Sequence, residues 1–356
     1  MSAVDYKKEL KDLISLVVSE HGSDIHFSVG SHPIIRVTGS LIPLVKEPIL
    51  TDQDVEGFAR VLMSKVKYEQ FLENQEADFS YSHADGVRFR GNAFYQSGSM
   101  SIALRLIPNQ IRSIEELGLP EILHSFVDRP QGFFLCVGPV GQGKSTTLAA
   151  MVDYINTNRA EHIVTIEDPV EYIYEPKKSL IDQREVGVDT ESFKVALNSA
   201  FRQDVDVILV GEMRNPETIA TAVTAAETGH LVLSTLHTNN AAQTIDRIID
   251  SFPGAQQDQI RVQLAGSLAG IFSQRLIPRI SGGMIPAYEL LINNSAVSNL
   301  IRESRTHEIQ TLIETGLEQG MIDMNRSLAE LVKRGEITVE NAFAHSIDPK
   351  ALERLM

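Results

Sequence analysis

The chain has 356 residues, enough for two domains or one large one. Hydrophobic residues make up 43% and charged residues 22%, which is typical of a soluble globular protein. The net charge of −15 argues against a surface devoted to nucleic acid, because such surfaces are normally basic. No apolar stretch reaches the ~20 residues of a membrane span, and the charged N-terminus lacks the apolar core of a signal peptide.

The first 107 residues predict a compact α+β module. Amphipathic helices are expected over residues 6–20 and Thr51–Ser64, the second with Thr51 as its N-cap. Ala84-Asp85-Gly86 and Gln96–Ser99 are typical hairpin turns. Between these signals we expect six strands, at Asp24–Val29, Pro33–Val37, Leu41–Leu44, Ala77–Ser82, Val87–Tyr95 and Met100–Ile107.

The pattern changes after residue 107. Pro108-Asn109-Gln110 breaks it, and Ser113 to Glu116 is typical of a capping box that opens a short helix, so we place a linker at 108–120. Strands then alternate with helices, as in a parallel α/β sheet, and residues 295–356 are helical in pattern. We expect an α/β core over 121–294 with strands at Phe133–Val137, His162–Ile166, Val207–Val210 and Leu231–Leu236.

The only cysteine, Cys136, lies inside the first of these core strands. A single buried cysteine cannot form an intrachain disulfide or a structural zinc site. We therefore interpret it as core packing in a cytosolic protein.

Residues 138–145 form a phosphate-binding loop. They read GPVGQGKS, which fits the pattern G-x-x-x-x-G-K-[ST] between an apolar strand and a helix over Thr146–Ile155. This context disfavours a chance glycine-rich turn. Lys144 is expected to contact the β- and γ-phosphates and Ser145 to bind Mg²⁺. The predicted nucleotide-binding residues are Gly138, Pro139, Val140, Gly141, Gln142, Gly143, Lys144, Ser145 and Thr146.

Two carboxylates follow predicted core strands. Glu167 begins the acidic segment 167–171 after one strand, and Glu212 follows the next, with Gly211 where an aspartate is common. Ligands bind at the carboxyl ends of strands in open α/β sheets. Glu212 can therefore polarise the attacking water, alone or with Glu167. An acidic turn and a strand-end surface glutamate are the alternatives.

Two histidines, His230 and His237, bracket the predicted strand Leu231–Leu236. Either alone is more often a satisfied structural residue than a functional one. Metal binding is disfavoured, because no set of Cys, His and carboxylate residues has ligand spacing. The neighbouring motifs favour a role in sensing the γ-phosphate.

Arginines are relevant because phosphoryl transfer needs cations near the departing charge. Arg202 and Arg214 flank the strand that precedes Glu212, while Arg88, Arg90 and Arg105 lie on strands of the N-terminal module. Arg90 and Arg105 are expected to project from a half-apolar sheet toward a neighbouring site. Any one of them alone is more often a solvated surface charge, so the hypothesis depends on the set.

Together with the loop, the segments TIEDPVEYIY (165–174), ILVGEMR (208–214) and TGHLVLSTLHTN (228–239) resemble the secretion ATPase superfamily, the hexameric motors of type II and type IV secretion and type IV pili. Residues 23–39 resemble the family's PAS-like N-terminal domain, so the resemblance covers nearly the whole chain. Gln142 stands where the family usually has Ser or Thr, at a position where only backbone is needed.

This resemblance implies an α/β protein with an N-terminal PAS-like α+β domain (1–107), a RecA-like P-loop ATPase domain and a helical C-terminal part. It implies ATP and Mg²⁺ as cofactors, with ATP bound between the two domains. Ser145 and Glu167 would hold the metal, Glu212 and Glu167 would act on water, and His230 would report the γ-phosphate. Arg90, Arg105 and Arg202 would be catalytic arginines, the first two acting in trans.

Within the family, two features favour a pilus-retraction motor. Residues 296–303, AVSNLIRE, resemble the retraction-type motif AIRNLIRE and depart from it at Val297 and Ser298. An ordinary amphipathic helix is the alternative for this segment. The sequence also begins almost directly at the PAS-like region and lacks the four-cysteine zinc insertion of many assembly motors.

A retraction motor implies a homo-hexamer that is cytoplasmic and peripheral at the inner face of the cytoplasmic membrane. Its implied partners are a PilC-like platform protein of the inner membrane and a second retraction ATPase, with no nucleic acid and no transmembrane segment. Two alternatives remain open. One is a pilus assembly or type II secretion ATPase, and the other is a regulatory nucleotide-binding subunit with little turnover.

Overall fold

The computed structural model of the protein describes residues 5–37, 39–83, 86–107, 110–213 and 215–356. These residues divide into two compact units. The first comprises the chain up to Gln110 together with Pro169–Ile173, and the second comprises Ile111–Asp168 and Tyr174–Met356. The short segment Pro169–Ile173 thus belongs to the first unit although it lies in the middle of the second along the chain.

The first unit contains three helices and one six-stranded sheet among its described residues. The helices are α1 (Tyr6–Ser19), α2 (Asp52–Leu62) and α3 (Lys65–Asn74). The strands are β1 (Asp24–Ser28), β2 (Ile34–Val37), β3 (Ser40–Pro43), β4 (Glu76–Ser82), β5 (Arg88–Gln96) and β6 (Ser99–Ile107). The sheet is antiparallel, with strand order β3-β2-β1-β6-β5-β4.

Alternation along the strands gives this sheet one apolar face and one polar face. In β5, Phe89 and Ala93 are fully buried while Arg90 and Asn92 between them are partly exposed. The buried side chains pack with α1 and α2 in one core, where Phe27 and Phe58 have ring centroids 4.8 Å apart. The polar face is therefore left available for chemistry.

The second unit is built on a seven-stranded sheet and the remaining helices. Its strands are β7 (Gly132–Val137), β8 (His162–Glu167), β9 (Leu180–Glu185), β10 (Val207–Val210), β11 (Leu231–Leu236), β12 (Leu268–Pro278) and β13 (Met284–Ile292). Its helices are α4 (His124–Val127), α5 (Lys144–Asn158), α6 (Phe193–Ala200), α7 (Pro216–Glu227), α8 (Ala241–Asp250), α9 (Gly254–Ser267), α10 (Ser295–Arg302), α11 (Ile309–Thr315), α12 (Met324–Lys333), α13 (Val339–His345) and α14 (Pro349–Leu355).

Strand direction in this sheet positions the functional loops. The order is β13-β12-β7-β11-β10-β8-β9, and every neighbouring pair is parallel except β12 with β13. Six buried residues in each of β7 and β11 form the middle of the sheet. The segments that follow β7, β8, β10 and β11 consequently meet at one edge, the carboxyl edge.

Most helices and strands expected from the sequence are confirmed within about two residues. Thr51 caps α2 through a reciprocal pair of hydrogen bonds with Asp54, as expected. Ser113 and Glu116 also make both bonds of a capping box, but a turn follows them instead of a helix. Helix α3 and strands β9, β12 and β13 were not among the expected elements. Residues 84, 85, 108 and 109, in an expected turn and the expected linker, lie outside the described residues.

Cys136 is fully buried in β7, and burial raises the pKa of its thiol to about 12. It is therefore a core residue, as expected. After β13 the described chain contains helices, short turns and one isolated bridge, between Ile322 and Leu290 of β13. None of the described helices combines the length and apolar character needed to cross a bilayer.

Candidate functional site at the carboxyl edge of the seven-stranded sheet

The phosphate-binding loop connects β7 to α5 and needs its glycines for conformation. Gly138, Gly141 and Gly143 have φ of +147°, +77° and +78°, a region that side chains disfavour. A Cβ on Gly138 would lie 2.5 Å from the Gln274 carbonyl oxygen, so space is limiting there too. The loop leads into the first turn of α5, whose free N–H groups and dipole favour phosphate. Ser145 is exposed in that turn.

Lys144 is directed back over the loop. Its side chain is buried, and its Nζ donates to the carbonyl oxygens of Gly138 and Pro139 at 2.9 and 2.8 Å. The same Nζ lies 3.3 Å from Nδ1 of His237. The ammonium is thus held at the loop, where a phosphate oxygen would replace a carbonyl as its acceptor.

The two carboxylates predicted from the sequence follow neighbouring strands. Strand β8 pairs with β10 up to Ile166 and Val210, so Glu167 and Gly211–Glu212 leave the sheet side by side. An added Cβ on Gly211 would approach the Glu167 side chain to 3.4 Å, which shows how close the backbones run. Glu167 is buried and accepts a 2.8 Å hydrogen bond from the Thr165 hydroxyl. Glu212 is more open, with 27% of its side chain exposed.

His237, which follows β11, joins Lys144 to Glu212. Its Nε2 lies 3.5 Å from Glu212 Oε1. Because the lysine ammonium can only donate, Nδ1 of a neutral His237 must accept, and the ring proton then lies on Nε2, toward the carboxylate. Strand β11 fixes this arrangement through side chains, since Ser234 donates to the Val210 carbonyl and Thr235 to the Gly211 carbonyl, at 2.7 and 2.6 Å.

The structure corrects the assignment of His230. This residue precedes β11, and its carbonyl accepts from Gly132 at the start of β7, so it lies at the opposite edge of the sheet from the phosphate loop. Six strand residues separate the two edges by roughly 20 Å. Its Nδ1 lies 3.0 Å from the Ala225 carbonyl, and its ring packs edge-on against Phe201. His230 therefore does not reach this chain's own phosphate loop, and His237 is the histidine that lies there.

Arg202 is also at the opposite edge, because it precedes β10. It is exposed, and its Nη1 donates to the Asn198 carbonyl at 3.2 Å. A catalytic role for Arg202 at this chain's own phosphate loop is therefore wrong. Arg214 lies outside the described residues.

Arg90 and Arg105 lie on the polar face of the first unit. They are directly opposite each other in the β5–β6 ladder. Arg105 Nε donates to Asp24 Oδ1 at 2.9 Å, and Arg90 lies 3.6 Å from Glu171 of the segment Pro169–Ile173. These residues line an open cavity of about 350 Å³ together with His26, Asp78, Asn92 and Tyr172.

The charges in this cavity are coupled. Burial raises the pKa of Asp24, but hydrogen bonds from Ser23 and Arg105 outweigh it and hold that pKa below its ordinary value. Burial lowers the pKa of His26 nearby, which favours its neutral form. Arg105 still has 73% of its side chain exposed, so its guanidinium can exchange partners.

Gln142 was expected to need only its backbone, and the structure shows more. Its side-chain Oε1 accepts a 2.7 Å hydrogen bond from the backbone N–H of Leu276 on β12. This contact joins the loop to a strand that is far away in sequence.

The donor atoms at the loop suit magnesium. Mg²⁺ prefers oxygen ligands and keeps several waters, using one or two protein groups beside substrate phosphates. The Ser145 hydroxyl and the carboxylates of Glu167 and Glu212 supply such oxygens at one edge of the sheet. Among the described residues no group of three or more His, Cys, Asp or Glu forms a metal cage of its own.

A glycine-rich loop between a buried parallel strand and a helix, with two carboxylates at the carboxyl ends of two other strands of the same sheet, defines a nucleoside-triphosphate-binding protein of the P-loop class. The chain belongs to the family of type II/IV secretion system proteins, whose model matches residues 4–284. The resemblance found in the sequence is thereby confirmed.

Two similar proteins and one solved structure cover most of the chain. The type IV pilus retraction ATPase PilT of Pseudomonas aeruginosa is 44% identical over 94% of this chain and 97% of its own length. A twitching motility protein of Neisseria gonorrhoeae is 45% identical over 87% of this chain and 83% of its own length. A crystal structure of the pilus retraction motor PilT with bound ADP has a TM-score of 0.89 and 46% identity, covering 96% of this chain and 98% of that one.

Proposed function

We propose that the protein is an ATP-hydrolysing motor that drives the retraction of type IV pili and hence twitching motility. The observation that carries this proposal is similarity to a pilus retraction ATPase over nearly the full length of both chains. The site supports turnover, since Lys144, Glu167, Glu212 and His237 are all present and gathered at one edge. A relative of the same kind holds ADP in its crystal structure.

The residues at the edge divide the chemistry of hydrolysis among them. Lys144 and the loop N–H groups bind the phosphates, while Ser145 and Glu167 would hold Mg²⁺, which supplies positive charge against the phosphates when bound. Glu212 has the more exposed carboxylate and accepts a proton from the attacking water. His237 holds Glu212 and Lys144 in position relative to each other. It also responds to loss of the γ-phosphate, because Lys144 contacts both that phosphate and His237.

The larger assembly is part of the same proposal. We assign residues 1–107 to a PAS-like domain, 108–120 to a linker, 121–294 to a RecA-like core and 295–356 to a helical region. Six copies would form a ring at the inner face of the cytoplasmic membrane. Hydrolysis would move the domains about the linker and act on a PilC-like platform protein, with a second retraction ATPase as a further partner.

Arg90 and Arg105 are proposed to act on a nucleotide held by a neighbouring subunit. In that case, mixing Arg105→Ala subunits with Lys144→Ala subunits should restore part of the ATPase activity, because some interfaces then combine an intact arginine with an intact lysine. A mixture of Lys144→Ala with Glu212→Gln is the matched control. Those two residues are connected through His237 of one chain and should not complement. Equal activity in both mixtures would contradict the proposal that these arginines act on a neighbouring subunit.

Two other functions compete with retraction. An assembly or type II secretion ATPase of the same family would use the same edge of the sheet and differ in output. A regulatory nucleotide-binding subunit with little turnover belongs to another class, and the intact carboxylate of Glu212 beside His237 argues against it.

The phenotype of a gene deletion tests the output of the motor. We expect a hyperpiliated cell that does not twitch, because pili would still be assembled but not withdrawn. Surface pili and the twitching zone are the two measurements. A cell without pili would show an assembly motor instead, and normal pili with normal twitching would contradict any pilus motor.

Complementation of that strain then tests residues 296–303. Val297 and Ile301 of α10 are fully buried, whereas Arg302 and Glu303 are exposed, so the charged pair can change without disturbing the core. The double variant Arg302→Ala/Glu303→Ala should keep ring assembly and ATPase activity but fail to restore twitching. Full restoration of twitching would show that this charged pair does not couple the motor to the pilus.

A further inference from the structure

Strand β12 extends beyond its neighbour β7 and runs along the phosphate loop. The pairing of β7 with β12 ends at Val137 and Ser273, while β12 continues to Pro278, paired on its other side with β13. Residues Gln274–Leu276 therefore have one side that no strand of the described residues covers. The phosphate loop occupies that side, in the place where β7 would have continued.

Two glutamine side chains fill the gap between the loop and the strand. Gln142 of the loop accepts from the Leu276 N–H at 2.7 Å, and Gln274 of the strand donates through Nε2 to the Gln142 carbonyl at 2.8 Å. Each glutamine thus binds the backbone of the opposite segment. The two bonds fix one loop residue against the sheet from both its side chain and its main chain.

Gln274 extends the attachment into helix α5. Its Oε1 accepts a 2.6 Å hydrogen bond from the Thr147 hydroxyl, in the first turn of that helix. Gln274 has 2% of its surface exposed, so water cannot easily replace either of its bonds. It also lies against two loop glycines, since an added Cβ on Gly143 would come 3.0 Å from its Nε2.

We propose that Gln142 and Gln274 are positioning residues that hold the phosphate loop ready for nucleotide. The proposal deepens the function given above and depends on this loop binding ATP. A glycine-rich loop has many backbone conformations, and apparent affinity falls in proportion to the fraction of molecules in the competent one. Bonds to a rigid strand raise that fraction before the nucleotide arrives, which is preorganisation.

The test compares two variants that lose the Gln142 acceptor by different means. Gln142→Met keeps the length of the side chain, and Gln142→Ser is too short to reach Leu276. A neutral hydrogen bond changes an equilibrium by about 2- to 12-fold, so both variants should raise the Kd for ADP and the KM for ATP by that factor. Because Gln142 and Gln274 take no part in the chemical step, kcat should stay near the wild-type value.

Gln257→Met is the matched control, because it also removes one glutamine bond to a backbone group, from Gln257 Nε2 to the Phe252 carbonyl, at the start of α9. It should leave both constants unchanged. Gln274→Met should have a larger effect than Gln142→Met, and thermal melting of the nucleotide-free protein shows whether it still folds.

Each outcome is decisive. Wild-type affinity in both Gln142 variants would overturn the proposal while the ATPase function stands. A loss in only one of the two would also overturn it, because side-chain size would then be responsible. A fall in kcat without a change in KM would show that the contact serves catalysis and not positioning. Absence of nucleotide binding by the wild-type protein would instead refute the proposed function.

Discussion

Replacing Glu212 with glutamine is expected to lower the rate of ATP hydrolysis by about 10²–10⁴-fold while nucleotide binding is retained, because loss of a general base has effects of this size. Glutamine keeps the shape of the side chain but cannot accept a proton from water. The residue lies at the end of β10, and its Oε1 is 3.5 Å from His237 Nε2. The measurements are kcat and the Kd for ATP.

Three further variants make this result specific. Glu217→Gln removes an exposed carboxylate that pairs with Lys194 on the surface, and it should hydrolyse ATP normally. Lys144→Ala should weaken nucleotide binding itself, since its ammonium is the cation at the loop. If Glu212→Gln keeps the wild-type rate while Glu167→Gln loses it, Glu167 is the base and our assignment is reversed.

Features that depend on local sequence were predictable. The phosphate loop is eight consecutive residues with fixed requirements for glycine and lysine, so its place between β7 and α5 followed from pattern alone. The position of Glu167 and Glu212 followed from the rule that ligands bind at the carboxyl ends of parallel strands. The opposition of Arg90 and Arg105 follows from the register of the hairpin between β5 and β6, which is local in sequence.

The same rule about strand ends could have identified the right histidine. His230 precedes β11 and His237 follows it, so in a parallel sheet only His237 lies on the side of the phosphate loop. Arg202 also lies away from the phosphate loop, because it precedes β10. The motif contains both histidines and does not distinguish them. The direction of β11 does, because only one of them follows the strand.

Other features depend on contacts between distant segments and could not be read from the sequence. The Gln142 bond reaches Leu276, on a strand that was not among the expected elements. Strands β12 and β13 carry short apolar runs, such as Leu268–Phe272, which periodicity cannot distinguish from a buried helix. Because β12 was not predicted, nothing in the sequence indicated that this strand holds the phosphate loop.

Glu289 gives the second large expected effect, on the pH dependence of stability. It lies on β13 with 2% of its surface exposed, and its Oε1 accepts from the N–H of Ala241, the first residue of α8. Burial raises the pKa of its carboxyl to about 7 from an ordinary 4.5, and the charges of Asp323 and Glu314 act in the same direction. The hydrogen bond from Ala241 and the charge of Arg275 oppose the rise without cancelling it.

The number of protons bound in each state decides whether stability rises or falls with pH. Between about pH 4.5 and pH 7 the unfolded chain has released the proton of Glu289 while the folded protein keeps it, so the free energy of unfolding falls as pH rises through this window. At one pKa unit per 1.36 kcal/mol, the loss approaches about 2 kcal/mol at pH 6 and about 3 kcal/mol at pH 8.5. Above pH 7 the folded protein carries a buried charge.

Glu289→Gln should remove this cost, because glutamine is neutral and still offers an oxygen to the Ala241 N–H. We expect the variant to unfold at higher urea concentration than the wild type, by a margin that is larger at pH 8.5 than at pH 6. Circular dichroism at both pH values measures it, and Glu318→Gln, which changes an exposed glutamate, is the control. A margin that is the same at both pH values would show that the ionisation of Glu289 does not limit stability. Helix α8 follows the loop that begins at His237. Ser273 and Arg275 of β12 both donate to Asn239 in that loop, so the Glu289→Gln change should leave His237 in place.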